Sequence, residues 1–143
     1  MKIYIAAPYP CRDQAIRIME ELESVGHEVT SRWLREDESE SDASARDDLA
    51  DVDAADVLLA YNPPEFENAG TGGRHVELGY MLYHIMNRRL VAWSSPKQIV
   101  IVGRRSNIFH HIDHPSIRVV DTVEAFLKLI DVPVRTRRIT QTL

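Results

Sequence analysis

The residues best suited to chemistry lie in Gly70-Thr71-Gly72-Gly73-Arg74-His75-Val76-Glu77-Leu78-Gly79-Tyr80, a glycine-rich turn that runs into a helical pattern with a carboxylate about one turn inside it. The start of a helix carries roughly half a positive elementary charge and N–H groups with no intrahelical acceptor, so Glu77 is expected to stay ionised there even when partly shielded from water. A carboxylate held that way is a nucleophile. The glycines let a ligand lie against bare backbone N–H groups, as anions and sugar hydroxyls can. A second set of carboxylates, Asp47, Asp48, Asp51 and Asp53, precedes a short apolar run. Read alone, that cluster is equally the solvated face of a helix. Two carboxyl groups can nevertheless work as a pair when they are in different states, one ionised as a nucleophile and the other protonated as a general acid. Glu77 suits the first task, and Asp48 suits the second if burial raises its pKa.

Other residues suggest themselves as helpers. A phenol from Tyr4 could hydrogen-bond the glutamate and hold its orientation, or Tyr4 is simply an aromatic side chain at the sheet edge. Arg12 could supply positive charge to a ligand, or it is a surface arginine opening a helix. Asp56, before an apolar run, is expected to fix a turn by hydrogen bonding. His110, His111, Asp113 and His114 are metal-ligand types, but Ile112 and Pro115 imply an irregular segment and no second cluster accompanies them, so no metal is expected. No cofactor is implied.

Positioning these groups requires a sheet with helices on it. The chain alternates short apolar runs with longer amphipathic ones, the pattern of a parallel sheet covered by helices. Met1–Tyr9 reads as a buried strand ending in Ala6, Ala7 and Pro8. Arg12 to Val25 carries Ile16, Met19, Leu22 and Val25 at helical spacing and stops at Gly26. His27–Thr30 is a weak second strand. The acidic, serine-rich stretch from Glu36 to Asp42 reads as a mobile loop before a helix containing Ala45, Leu49 and Val52. A third strand spans Asp56–Ala60, and Asn62-Pro63-Pro64 leads to the glycine turn. Arg74 to Asn87 is the central helix, apolar at Leu78, Met81, Leu82, Ile85 and Met86, with Glu77 about 100° off that stripe. Gln98–Val102 is the fourth strand, with Leu90–Trp93 its early part or an inserted turn; Ile117–Val120 and Thr122–Ile130 supply a last strand and helix. The fold class expected is α/β, a flavodoxin-like or Rossmann-like three-layer sandwich around a mainly parallel five-stranded sheet. Its crevice at the carboxyl ends of the strands would reach Glu77. Residues 1–132 form one domain, and 133–143 a basic tail with Arg135, Arg137 and Arg138.

Three blocks in this order, the first strand with Tyr4, the Asp48-Leu49 to Ala60 segment and Val76-Glu77-Leu78-Gly79-Tyr80 after a glycine turn, resemble the nucleoside 2-deoxyribosyltransferase family over about residues 2 to 110. The resemblance implies that Glu77 attacks the anomeric carbon of a 2-deoxyribosyl group, that Asp48 is the second acid, and that Tyr4 matches the tyrosine of the first strand. It also implies sugar and base contacts at Ala7, Thr71, Gly72 and Gly73. Thr71 lies six residues before Glu77. Nucleoside-specific members carry an aspartate there that meets the 5′-hydroxyl, and the related 2′-deoxynucleoside 5′-phosphate N-hydrolases carry a serine, so a hydroxyl at Thr71 favours a phosphate. Gly103 to Phe109 resembles the loop whose asparagine reaches a neighbour's sugar pocket, which marks Asn107. The implied partners are a small nucleoside or nucleotide, a free nucleobase and further copies of the chain, as a homodimer or higher even oligomer.

Composition bounds the alternatives. At 143 residues with 44% apolar and 27% charged side chains, the chain suits one domain with a sizeable core. A formal net charge of −5 argues against a protein built to bind nucleic-acid backbones. One cysteine, Cys11, gives no intrachain disulfide, and no apolar run of membrane-spanning length or signal-peptide pattern is present, so no membrane partner and a cytoplasmic setting are expected. A redox flavodoxin fits poorly, because Pro8-Tyr9-Pro10 follows the first strand in place of a hydroxyl- and glycine-rich phosphate loop. A nucleotide-sensing module without turnover is the rival from another class; a displaced Asp48 or an occluded Glu77 would mark it.

Overall fold

A computed structural model describes residues 1–36, 41–66, 69–87 and 96–131. Five parallel strands, β1 (Lys2–Ala6), β2 (Glu28–Val29), β3 (Val57–Asn62), β4 (Gln98–Gly103) and β5 (Ile117–Val120), lie in the order β2-β1-β3-β4-β5. That is the flavodoxin-like order, with its topological switch point between β1 and β3. Ile3 pairs with Val57 and Ala6 with Ala60; across β3 and β4, Val57 pairs with Gln98 and Asn62 with Gly103. The three inner strands are apolar on both faces, and Ile3, Tyr4, Ile5, Val57, Leu58, Leu59 and Ile99–Val102 are all buried. Such runs are stable only with helices covering the sheet on both sides.

The helices are α1 (Arg12–Ser24), α2 (Asp42–Ala54), α3 (Gly73–Met86) and α4 (Val123–Asp131). α2 and α3 pack on each other and on β1, while α1 packs against β2, and α4 against β4 and β5. Right-handed crossovers put α1, which leads away from the switch point, on the face opposite α2 and α3. His27, just after α1, bonds Asp131 at the end of α4 at 3.3 Å. The first strand ends at Ala6, three residues short of the expected Tyr9, which opens a 3-10 turn instead; the other bounds given for strands and helices fall within two residues of those observed. The segments at Leu90–Trp93 and 133–143 lie outside the described residues, as does most of the acidic loop. Among the described residues, no helix is long and apolar enough to cross a membrane.

Two apolar assignments need correction. Met86 is 58% exposed, because it stands on the outward side of α3 with Val76, Gly79 and Tyr83, while Leu78, Met81, Leu82 and Ile85 face the sheet. Val25 is likewise exposed, and α1 buries Ala15, Ile18, Met19 and Leu22. Asp56 does fix a junction: its carboxylate accepts from the Lys2 N–H at 2.9 Å, aligning the starts of β1 and β3.

Candidate active site

At the switch point the chain leaves β1 through Ala7 and Pro8 into a 3-10 turn at Tyr9–Cys11, whose Cys11 N–H returns to the Pro8 carbonyl at 2.9 Å. After β3 it reaches α3 through Gly70 and Gly72, at φ +85° and +88°, a left-handed conformation that strongly favours glycine. Gly72 caps α3 with no side-chain hydrogen bond, while its carbonyl accepts from the His75 N–H at 3.0 Å. Between these two turns and α2 lies a cavity of about 520 Å³. Its wall includes Ala7, Thr71, Gly72, Gly73, Asp48 and Glu77.

The acidic cluster on α2 divides by helical phase. Asp47 and Asp51, four residues apart, both meet Arg32 from a 3-10 turn at Arg32–Leu34: Arg32 Nε lies 2.9 Å from Asp51 Oδ1, and Nη1 lies 3.3 Å from Asp47 Oδ1. The Arg32 N–H also donates to Asp51 at 3.0 Å, which is how a carboxylate only 7% exposed is satisfied. Asp48, one step round the helix, turns to the cavity instead. It sits on the same face as Ser41, Ser44 and Ala45.

Tyr4 lies beneath this floor, fully buried in the middle of β1. Burial, then the charges of Glu77, Asp48 and Asp51, push its phenol far above the ordinary tyrosine range, so it is a permanent donor. Of these charges Glu77 has the largest influence.

Arg12 is engaged elsewhere, and Asn107, expected to serve a neighbour's pocket, makes its bonds here within its own chain. Arg12 does not line the cavity: Nε donates to the Trp33 carbonyl at 3.2 Å and Nη2 to the Leu34 carbonyl at 3.1 Å, so it braces the turn after β2. Asn107 is also off the cavity wall, and its Nδ2 lies 3.2 Å from His75 Nδ1 and 3.4 Å from His110 Nε2, while Oδ1 accepts from the Phe109 N–H. His110 Nδ1 accepts from the Ser106 N–H at 2.9 Å, and His114 Nδ1 from the Ser116 N–H at 3.0 Å. The histidine-rich segment is therefore held by local backbone bonds, and among the described residues no metal-ligating group forms.

Sequence reasoning missed Arg74, Tyr9, Trp33 and Ser44, which share the wall. Arg74 is 8% exposed and donates to Asn62 Oδ1 at 3.0 Å; burial pulls its pKa down. Its position three residues before Glu77, on the same side of a helix, was the available signal. Trp33 carried none, standing outside any periodic stretch.

In three dimensions the chain is similar to the CMP N-glycosidase BcmB of Clostridium botulinum, with a TM-score of 0.55 and 16% identity over 93% of this chain and 100% of that one. The likeness shows a shared α/β fold. No family model matches the chain, and no curated protein matches its sequence.

The His110 ring gives a stability prediction. Burial first, then the charges of His75 and Arg74, lowers its pKa from 6.5 to about 4. Between those values the unfolded chain binds the extra proton, so this contribution is complete above about pH 6.5 and is lost as pH falls toward 4. The slope reaches at most about 1.4 kcal/mol per pH unit. Urea unfolding should show the decline in wild type and a flatter profile in His110→Gln; parallel profiles would contradict it.

Proposed function

We propose that the chain cleaves the N-glycosidic bond of 2′-deoxynucleosides or their 5′-monophosphates and passes the sugar to a second nucleobase, through a covalent glycosyl-Glu77 intermediate. The observation that carries this reading is that Glu77 and Asp48, from two neighbouring helices, face one cavity that a glycine turn also lines. In the first half-reaction the Glu77 carboxylate bonds to C1′ as the C1′–N bond breaks; the electron pair leaves with the base, and Asp48 protonates it. In the second, the incoming base gives its proton to Asp48 and displaces Glu77 from C1′. The neutral Tyr4 phenol steadies the glutamate throughout.

Water as the acceptor gives the hydrolase variant of the same mechanism. It is favoured by the exposure of Tyr9, Thr71 and Gly73 at the cavity mouth, and by the likeness to a protein described as a CMP N-glycosidase. A nucleotide-sensing module without turnover is the third reading, and loss of turnover on removing Glu77 excludes it. In Glu77→Gln and Glu77→Ala, glycosyl transfer should vanish while stability changes by under about 0.5 kcal/mol, since the residue lies off the packed stripe. Turnover of the alanine variant above a few per cent of wild type would contradict the covalent mechanism.

The same wall supports a 5′-phosphate. Thr71, the first-turn N–H groups of α3 and Arg74 supply donors and positive charge on one side of the cavity, and charge-assisted hydrogen bonds contribute about 1.5–3 kcal/mol each before desolvation is subtracted. Wild type should prefer the monophosphate in kcat/KM, and Thr71→Asp should reverse the preference. A tenfold wild-type preference for the free nucleoside, about 1.4 kcal/mol, would refute the assignment.

Assembly is part of the reading. The outward strip of α3, with Val76, Tyr83 and Met86 exposed around Gly79, is apolar and continues toward exposed Ile108 and Phe109 through the Asn107–His75 contact. A two-fold copy of the chain matches it with the same strip and puts added wall beside Glu77. The active species should be a homodimer or higher even oligomer that loses activity on dilution; full activity at a light-scattering mass of one chain would contradict this.

A further inference from the structure

The glycine turn is held in place by residues that stand outside the cavity wall. Gly70 and Gly72 are left-handed and Gly73 opens α3, so the turn has little stiffness of its own. Two side chains from the first turn of α3 anchor it. Arg74 Nη1 donates to Asn62 Oδ1 at 3.0 Å, at the end of β3. His75 Nδ1 lies 3.2 Å from Asn107 Nδ2, in the loop after β4.

The two anchors belong to one closed circuit. Asn62 is buried, and its remaining polar groups meet the loop after β4: Nδ2 donates to the Arg104 carbonyl and its own carbonyl accepts from the Arg104 N–H, both at 3.3 Å. Gly103 permits that approach, because a Cβ there would collide with the Asn62 carbonyl oxygen. Further along the loop, Asn107 Oδ1 accepts from the Phe109 N–H at 2.9 Å, which leaves the amide nitrogen toward His75. An amide nitrogen only donates, so His75 Nδ1 is the acceptor. Burial, then the charge of Arg74, lowers the pKa of that imidazole and favours the neutral ring that can accept. Arg74 and His75 are adjacent in the chain, so the circuit returns to its start.

We propose that Asn62 and His75 are positioning residues that set the preference of the site for a substrate carrying a 5′-phosphate. Neither lines the cavity, whereas Arg74, Thr71, Gly72 and Gly73 do. Asn62 holds the Arg74 guanidinium beside the glycine turn, and His75 ties the first-turn N–H groups of α3 to the loop after β4. A phosphate is bound best by donors that already converge on it, and a guanidinium with one nitrogen anchored loses less freedom when it binds. A free 5′-hydroxyl makes no such demand. The inference rests on the phosphate assignment above and names what holds that end of the cavity in place.

Steady-state kinetics of wild type, Asn62→Ala, His75→Leu and His75→Asn tests it, on each 2′-deoxynucleoside and its 5′-monophosphate, together with calorimetric titration of 2-deoxyribose 5-phosphate. Asn62→Ala and His75→Leu should each lower kcat/KM for the best monophosphate about tenfold, or 1.4 kcal/mol, through KM, and that for the free nucleoside by no more than about twofold. His75→Asn keeps an acceptor near the place of Nδ1 and should recover the monophosphate to within about threefold. Affinity for the sugar phosphate should fall in step with the rise in KM. Because Asn62 is buried, urea unfolding checks that its variant folds; the half-buried His75 supplies the decisive variant if it does not. Equal losses on both substrates, or no loss on the monophosphate, overturn the assignment. Wild type that binds the sugar phosphate and turns over neither substrate refutes the proposed reaction, and the affinities of the variants for that probe then decide the positioning alone. Wild type that does not bind it overturns the positioning.

Discussion

The Arg32–Asp51 pair sets the rotation of α2, and the rest of the cavity depends on that rotation. Asp51 is a buried carboxylate, and a buried charge left uncompensated costs several kcal/mol. It is satisfied only with its face of the helix turned to the Arg32 turn, where the guanidinium and the backbone N–H both reach it. Once Asp51 and Asp47 point that way, helical phase turns Ser41, Ser44 and Asp48 to the cavity. The same contact, with the Arg12 bonds to the carbonyls of Trp33 and Leu34, fixes the turn that carries the indole.

Charge in the cavity is sorted by depth. Tyr4 is sealed beneath the site and stays protonated under the influence of burial and of Glu77 and Asp48. Arg74 and the first turn of α3 supply the positive side, and Tyr9 and Trp33 supply an uncharged one. In the proposed reaction the nucleophile works beside a phenol that stays neutral. Electrostatic preorganisation of that kind acts without reorganising the protein as charge develops.

Much of this was legible in the sequence because it is local. Apolar runs of four to six residues marked the strands, and the order of Tyr4, the Asp48-Leu49 segment and the glycine turn before Glu77 marked three parts of one crevice. Helical phase relative to Leu78 and Met81 placed Glu77 at the edge of the packed face. What escaped depends on partners distant in the chain. Arg12 has a long side chain that reaches carbonyls more than twenty residues away, and nothing in its neighbours encodes that. Trp33 is likewise drawn to the Ile5 carbonyl in β1. Met86 failed for a different reason: it stands two turns beyond Gly79, which puts it on the outward side of α3 although its residue type is apolar.

The central claim is that Glu77 forms a covalent bond to the sugar. Wild type mixed with a deoxynucleoside monophosphate, quenched in acid within the first turnovers and read by mass spectrometry, tests it most directly. The account predicts a population heavier by one 2-deoxyribosyl phosphate, located on the peptide that contains Glu77 and absent from Glu77→Gln. Free base released with no modified protein at any quench time, or the adduct on another residue, would contradict it.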